Sequence, residues 1–206
     1  MLRPVHVIVW ALRLSMPSMS EGTADRYAAT MQAEAVEHGW DPFTYISLIT
    51  YESGGNASAL GDCDSAGKGC RAIGLAQIWA MFIGACRDDP DPNRSPGPSC
   101  LAVRSSLMDG SYNLRLLAGQ LARQRRWCKS QTGRALLWNS LASQAGINHP
   151  RFKGAKCGMR QERNGKWRRI KLGRRTAKGL SRVINHRHML IRKLKQRRKR
   201  RRKRSP

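Results

Sequence analysis

Apolar positions fall into blocks along the chain, and their spacing changes from block to block. Residues 4–16 hold the run VHVIVWAL behind Arg3 and predict a first helix. The run is shorter than the roughly 20 residues a bilayer span requires. It also resembles the core of an uncleaved leader, although His6 interrupts it and no small-x-small cleavage site follows. Ser18-Met-Ser-Glu21 fits a capping box, opening a helix over 24–37 that Gly39 stops. Asp41-Pro42 then supplies an N-cap followed by proline in the first turn. Beyond it Phe43, Tyr45, Ile46, Leu48, Ile49 and Tyr51 make a helix apolar on most sides, which is a buried one. Gly54-Gly55 ends that helix, so Glu52 falls on its last turn.

The pattern then loosens. Residues 56–70 form a polar loop, and 72–86 are largely apolar and predict another helix. The segment 87–99, RDDPDPNRSPGPS, is a surface loop by its proline and aspartate content. Helical spacing returns over 101–127 and 134–143. Asn164-Gly165 is the strongest hairpin signal and predicts a two-stranded excursion at 157–172. A last helix, 176–195, leads into RRKRRRKRSP, which has no apolar residue to pack and is expected to be disordered. The fold class is mainly α: one helical domain over 18–190 with a small β-hairpin, preceded by a first helix or leader and followed by a basic C-terminal tail, 191–206.

Length and composition leave room for one domain with a core, since 40% of the 206 residues are hydrophobic. The formal charge of +26 changes the picture through its placement. Residues 1–150 carry 14 Lys/Arg against 12 Asp/Glu, whereas 151–206 carry 25 against the single Glu162. Between 192 and 204, 11 of 13 residues are basic, and such a run binds polyanions by counterion release. Anionic envelope polymers, an anionic membrane surface and nucleic acid all qualify as partners. Phe152 and Trp167 lie in the basic stretch but match no nucleic-acid module, which favours the first two. A solubilising tail without a partner stays open.

Six cysteines stand at 63, 70, 86, 100, 128 and 157, with no CxxC pair and no Cys/His cluster of zinc spacing. No metal and no cofactor are expected. Three disulfides in an oxidising compartment are expected instead, and the sequential pairing 63–70, 86–100, 128–157 closes short loops. Six reduced thiols are the alternative. A periplasmic or secreted location follows from the cysteines and from the function argued next.

Glycosidic-bond cleavage requires an acid that protonates the leaving oxygen, and a carboxyl group stays protonated near neutral pH only where its charged form is poorly solvated. Glu52, ending an apolar helix beside small residues, meets that requirement. An exposed glutamate that merely ends a helix fits the local sequence equally well.

Glu52-Ser53-Gly54-Gly55-Asn56, behind Asp41-Pro42 and an apolar helix, resembles the catalytic segment of the soluble lytic transglycosylases, relatives of goose-type lysozyme. About twenty residues on, Ala72-Ile73-Gly74-Leu75-Ala76-Gln77-Ile78 resembles the family's second motif, Gly-Leu-Met-Gln-Ile. The resemblance covers 18–80 most clearly and implies a lysozyme-like helical fold. It implies cleavage of the bond between N-acetylmuramic acid and N-acetylglucosamine in peptidoglycan, with Glu52 acting as acid and then as base. As base, Glu52 would activate the muramic 6-hydroxyl and leave a 1,6-anhydro end. Ser53 and Asn56 would help position acid or substrate, Gln77 would bond an acetamido sugar, and Gly74 would let backbone approach it. The second motif's methionine is Ala76 here. The third, Ala-Tyr-Asn-x-Gly, is poorly matched: Trp138-Asn139 is the preferred substrate-binding counterpart, and 142–146 is the other. The Asp62/Asp64 loop reads as solvated, and no second acid falls within either motif. A hydrolytic muramidase and an inactive glycan-binding protein held on envelope polymers are the alternatives.

Overall fold

The computed structural model describes residues 3–133, 141, 155–162, 164–170 and 174–202. They are mainly helical, with six α-helices and two small antiparallel sheets. Two compact units result, Met1–Ala118 and Gly119–Pro206.

In the first unit α1 (Val5–Ser15) packs on α2 (Glu21–His38) and α3 (Pro42–Glu52). Ile8, Ala11 and Leu12 of α1 are buried with Tyr27, Ala28 and Met31 of α2 and Phe43, Ile46 and Ile49 of α3. Gly39 closes α2 in the left-handed region, φ 69°, and Asp41 caps α3 ahead of Pro42, both as the sequence predicts. Asp41 has a second partner. Arg3 grips its two carboxylate oxygens at 2.7 and 2.9 Å, and the guanidinium lies 3.9 Å over the Phe43 ring. The segment before α1 is thereby tied to the start of α3 by a charge-assisted, two-pronged contact.

The capping box at Ser18 does not form. Met19 N–H donates to Met16 O, which keeps 16–19 in a turn, and the cap is Ser20, whose Oγ accepts from Thr23 N–H at 3.3 Å. The helix predicted over 72–86 is also absent. In its place β1 (Leu60–Gly61), β2 (Ala72–Ile73) and β3 (Ile78–Trp79) pair antiparallel, followed by 3₁₀ turns at Ala80–Phe82 and Gly84–Cys86. The reason is backbone conformation: Gly74 and Gln77 take positive φ, 79° and 50°, which reverses the chain between β2 and β3. The pattern over 101–127 resolves into α4 (Pro98–Ser106) and α5 (Gly110–Thr132). Asp109 starts α5 by accepting from Tyr112 N–H, and Gly110 lies so close to the Tyr27 ring that a Cβ there would collide with it.

In the second unit β4 (Ala155–Lys156), β5 (Met159–Gln161) and β6 (Trp167–Arg169) form a three-stranded sheet, one strand more than the hairpin signal predicts. Cys157 and Gly158, at φ 53° and 67°, supply the extra reversal between β4 and β5. The Asn164-Gly165 turn forms as read, with Gly165 at φ 79° and Asn164 Oδ1 accepting from Lys166 N–H at 2.9 Å. Helix α6 (Arg174–Arg202) buries Leu180, Val183, Leu190 and Leu194 along one stripe. It continues as helix to Arg202, through the basic stretch whose composition predicts disorder. Arg and Lys are good helix formers, and a stripe already anchored by leucines lets the helix propagate at little cost. Among the described residues no helix is long and apolar enough to cross a membrane.

All three disulfides take the sequential pairing: Cys63–Cys70, Cys86–Cys100 and Cys128–Cys157. No cysteine is left free. Three disulfides mark an oxidising compartment.

Candidate active site

Helix α3 positions Glu52. Pro42 to Ile49 are all buried, so the helix is fixed from its capped start, and Glu52 is carried on the turn that leaves the core. Ser53 then breaks the helix. Its Oγ donates to Ile49 O at 3.2 Å and accepts from Gly55 N–H at 3.2 Å. Gly54 and Gly55 follow at φ 64° and 88°, and a Cβ on Gly55 would run into Met16 Sδ. The hydroxyl of Ser53 is thus spent on the helix end that presents Glu52.

Glu52 is exposed as a residue, yet protein mass around its carboxyl pushes the pKa up from 4.5 to about 7. Desolvation is the larger cause, and the charge of Asp62 adds to it. A carboxyl poised near 7 can both give and take a proton at neutral pH.

The nearby acid is Asp62, at the end of β1. It holds φ 51°, and its Oδ2 accepts the Trp79 indole N–H at 3.1 Å. Asp62 is exposed, as the sequence predicts, but it is not an idle surface charge: it holds Trp79 and acts electrostatically on Glu52. Trp79 lies near-parallel to Phe82, with ring centroids 5.9 Å apart and planes 8° apart.

The second motif is built around a buried amide. Asn113 on α5 is fully buried; its Nδ2 donates to Ile73 O at 3.0 Å and Leu107 O at 2.9 Å, and its Oδ1 accepts from Ala76 N–H at 2.8 Å. Gly74 is required there, because a Cβ at its φ of 79° would collide with Leu107 O and Asn113 Nδ2. The close approach it permits in the structure is to Leu107 and Asn113. Gln77 is half-buried and donates through Nε2 to Ala59 O at 3.2 Å and Gly74 O at 3.0 Å. Both amide hydrogens are therefore committed to backbone carbonyls beside β1 and β2, and only Oε1 is left as an acceptor. Asn56, exposed, uses Oδ1 to accept from Ser58 N–H at 2.9 Å, an Asx turn. Trp138, Asn139 and the alternative at 142–146 lie outside the described residues.

Glu52, Ser53 and Asn56 therefore share one helix end and its turn, while Gly74 and Gln77 share the turn between β2 and β3. Asn113, Trp79 and Phe82 escaped the sequence reading. Asn113 left a signal: it stands on the apolar face of its helix, in phase with Leu117 and Leu121. Among the described residues the one group with metal-ligand chemistry is Glu34, Glu37 and His38, whose donor atoms lie within 4.8 Å of one another. His38 Nε2 already faces Glu34 at 3.3 Å, an ion pair when the imidazole is protonated.

Compared with protein-family models, with curated proteins and with solved structures, the chain finds no match.

Proposed function

We propose that the protein is a lytic transglycosylase that cuts the bond between N-acetylmuramic acid and N-acetylglucosamine in peptidoglycan strands. The observation that carries the reading is the placement of Glu52 on the last turn of the buried helix α3, beside the Gly54-Gly55 break, where desolvation and the charge of Asp62 push its pKa up to about 7. In its protonated form it gives its proton to the leaving glycosidic oxygen as that bond breaks. The resulting carboxylate then takes the proton of the muramic 6-hydroxyl, whose oxygen closes on C1 to leave a 1,6-anhydro end. One residue serves both steps, and its resting pKa near neutrality suits both.

A second reading, hydrolysis by a muramidase, gains support from Asp62. Inverting glycosidases use a second carboxylate to activate water on the opposite face of the sugar, and Asp62 is a carboxylate close enough to bear on Glu52. For either enzyme a periplasmic or secreted location fits the three disulfides. The cationic face of α6 would retain the enzyme on anionic envelope polymers or membrane surface, by a charge term that needs no sequence-specific contact.

Digestion of purified peptidoglycan by wild type and Glu52→Gln, with mass spectrometry of the fragments, tests both readings. Anhydro ends from the wild type only are the expected result. Reducing ends would select the hydrolase. Cleavage by neither protein would sink both.

A further inference from the structure

We infer that Trp79 and Phe82 form a stacking shelf for an N-acetylhexosamine ring of the glycan, a saccharide subsite beside Glu52; this rests on the glycan-cleaving reading above. The two rings are 38% and 54% exposed, although the adjoining Ile78 and Ala80 are almost completely buried. Large aromatic surface left in water next to a carboxylate marks a binding surface more readily than a packing one. The rings are near-parallel, so they offer similarly oriented apolar planes.

A sugar ring has an apolar C–H face and a polar rim. An aromatic plane covers the first and leaves the second free to hydrogen-bond. Asp62 supplies the polar partner at the edge of the shelf. Its Oδ2 holds the indole N–H at 3.1 Å, which fixes the ring's tilt, and its other oxygen can accept a sugar N–H or O–H. Because the indole is held before any ligand arrives, little ordering remains to be done on binding. The β-ladder adds its own support. Gly61, Ala72 and Trp79 are in register across the three strands, so the indole rises from a rigid sheet beside two positions with small side chains or none. Asp62 follows Gly61 directly, which links the shelf to the acid whose charge is felt at Glu52.

Chitohexaose titrated calorimetrically into Glu52→Gln protein, which prevents turnover, reads the subsite directly. Adding Trp79→Ala is expected to raise Kd at least about tenfold, while Trp79→Phe stays within about threefold of the parent. Phe82→Ala, at the more exposed ring, is expected to raise Kd by about threefold or more and carries the test if Trp79→Ala loses its far-UV circular dichroism. An unchanged Kd in the alanine variants, or no binding to the parent, overturns the shelf. Trp79-dependent binding without peptidoglycan cleavage by the wild type would instead overturn the catalytic reading and leave the shelf standing.

Discussion

Asp62 adds its charge to the desolvation that raises the pKa of Glu52. The same carboxylate accepts the Trp79 indole N–H at 3.1 Å, so one side chain links the electrostatics of the acid to the aromatic surface beside it. Asp62→Asn separates the two roles, because the amide oxygen still accepts from the indole while the charge is gone. Burial continues to hold the Glu52 carboxyl above its ordinary 4.5, but one of its two causes is lost. On the proposed reading the proton-donating form of Glu52 predominates below about 7 in the wild type, so activity is expected to decline as pH rises through that value. In Asp62→Asn the declining limb of the kcat/KM profile moves to lower pH while chitohexaose affinity stays within about threefold. A limb that does not move removes Asp62 from the electrostatics. A loss of activity of about 100-fold or more across all pH, at unchanged affinity, would point instead to the water-activating role.

Glu52 itself carries a stability cost with a defined pH window. Its folded pKa, about 7, lies above the 4.5 of an unperturbed carboxyl. Between those values the folded chain keeps a proton that the unfolded chain has lost, so stability falls as pH rises through the window. Above about 7 the full cost is present; below 4.5 it vanishes. Glu52→Gln, which removes the charge, is therefore more stable than wild type at pH 8 and closely similar at pH 4. The gain is at most about 1 kcal/mol, since water reaches the side chain and screens part of the effect. Thermal unfolding at the two pH values checks it, and a variant less stable than wild type at pH 8 contradicts the assignment. If Glu52 is the general acid proposed above, cleavage is expected to fall by about 100- to 10,000-fold in the same variant, the usual loss when such a group is removed.

Local chemistry made parts of this fold readable in advance. Gly39, Asp41 and Pro42 act through bonds to their immediate neighbours, and the disulfide pairing follows from short loops. The place of Glu52 at the end of a buried helix was legible because an apolar helix and a glycine break flank it. The segment 72–86 was not legible as sheet, because what decides it is distant. Asn113, on a helix starting well downstream, bonds Ile73 O and Ala76 N–H and stabilises a reversal that apolar composition alone reads as helix. Trp79 and Phe82 were hidden within the same misread segment: only the chain reversal leaves both rings on the surface. Ser18 matched the capping pattern as well as any residue, but a turn anchored on Met16 moved the cap to Ser20.

Asn113 offers the most direct test of that distant control. Asn113→Ala withdraws two donors and one acceptor from buried backbone groups at once. Each such group left unsatisfied costs about 1–3 kcal/mol, without simple additivity, so a total loss of about 3 kcal/mol is expected in urea unfolding. Gly74→Ala strikes the same turn through its positive φ and the collision with Leu107 O. It is expected to cost at least about 1–3 kcal/mol by strain alone. A loss below about 0.5 kcal/mol for either variant would show that the turn holds without this buried amide.

On the proposed reading, the end of α6 serves retention rather than folding. Its last buried side chain is Leu194, and every described side chain beyond it is exposed or partly so. Among the described residues, truncation after Lys195 removes no buried side chain, so stability should stay within about 0.5 kcal/mol of the full chain. It does remove eight basic side chains, those of residues 197–204. Binding to an anionic polymer depends on released counterions, with a logarithmic salt slope of roughly 0.7–0.9 per neutralised charge. The full chain should therefore bind teichoic acid or anionic vesicles steeply more weakly as salt rises, and the truncated chain with a clearly shallower slope. Cleavage of soluble glycan fragments should be unchanged by the truncation, because Glu52, Asp62 and Trp79 all belong to the first unit. Loss of that soluble activity, rather than of retention, would show that α6 contributes to catalysis.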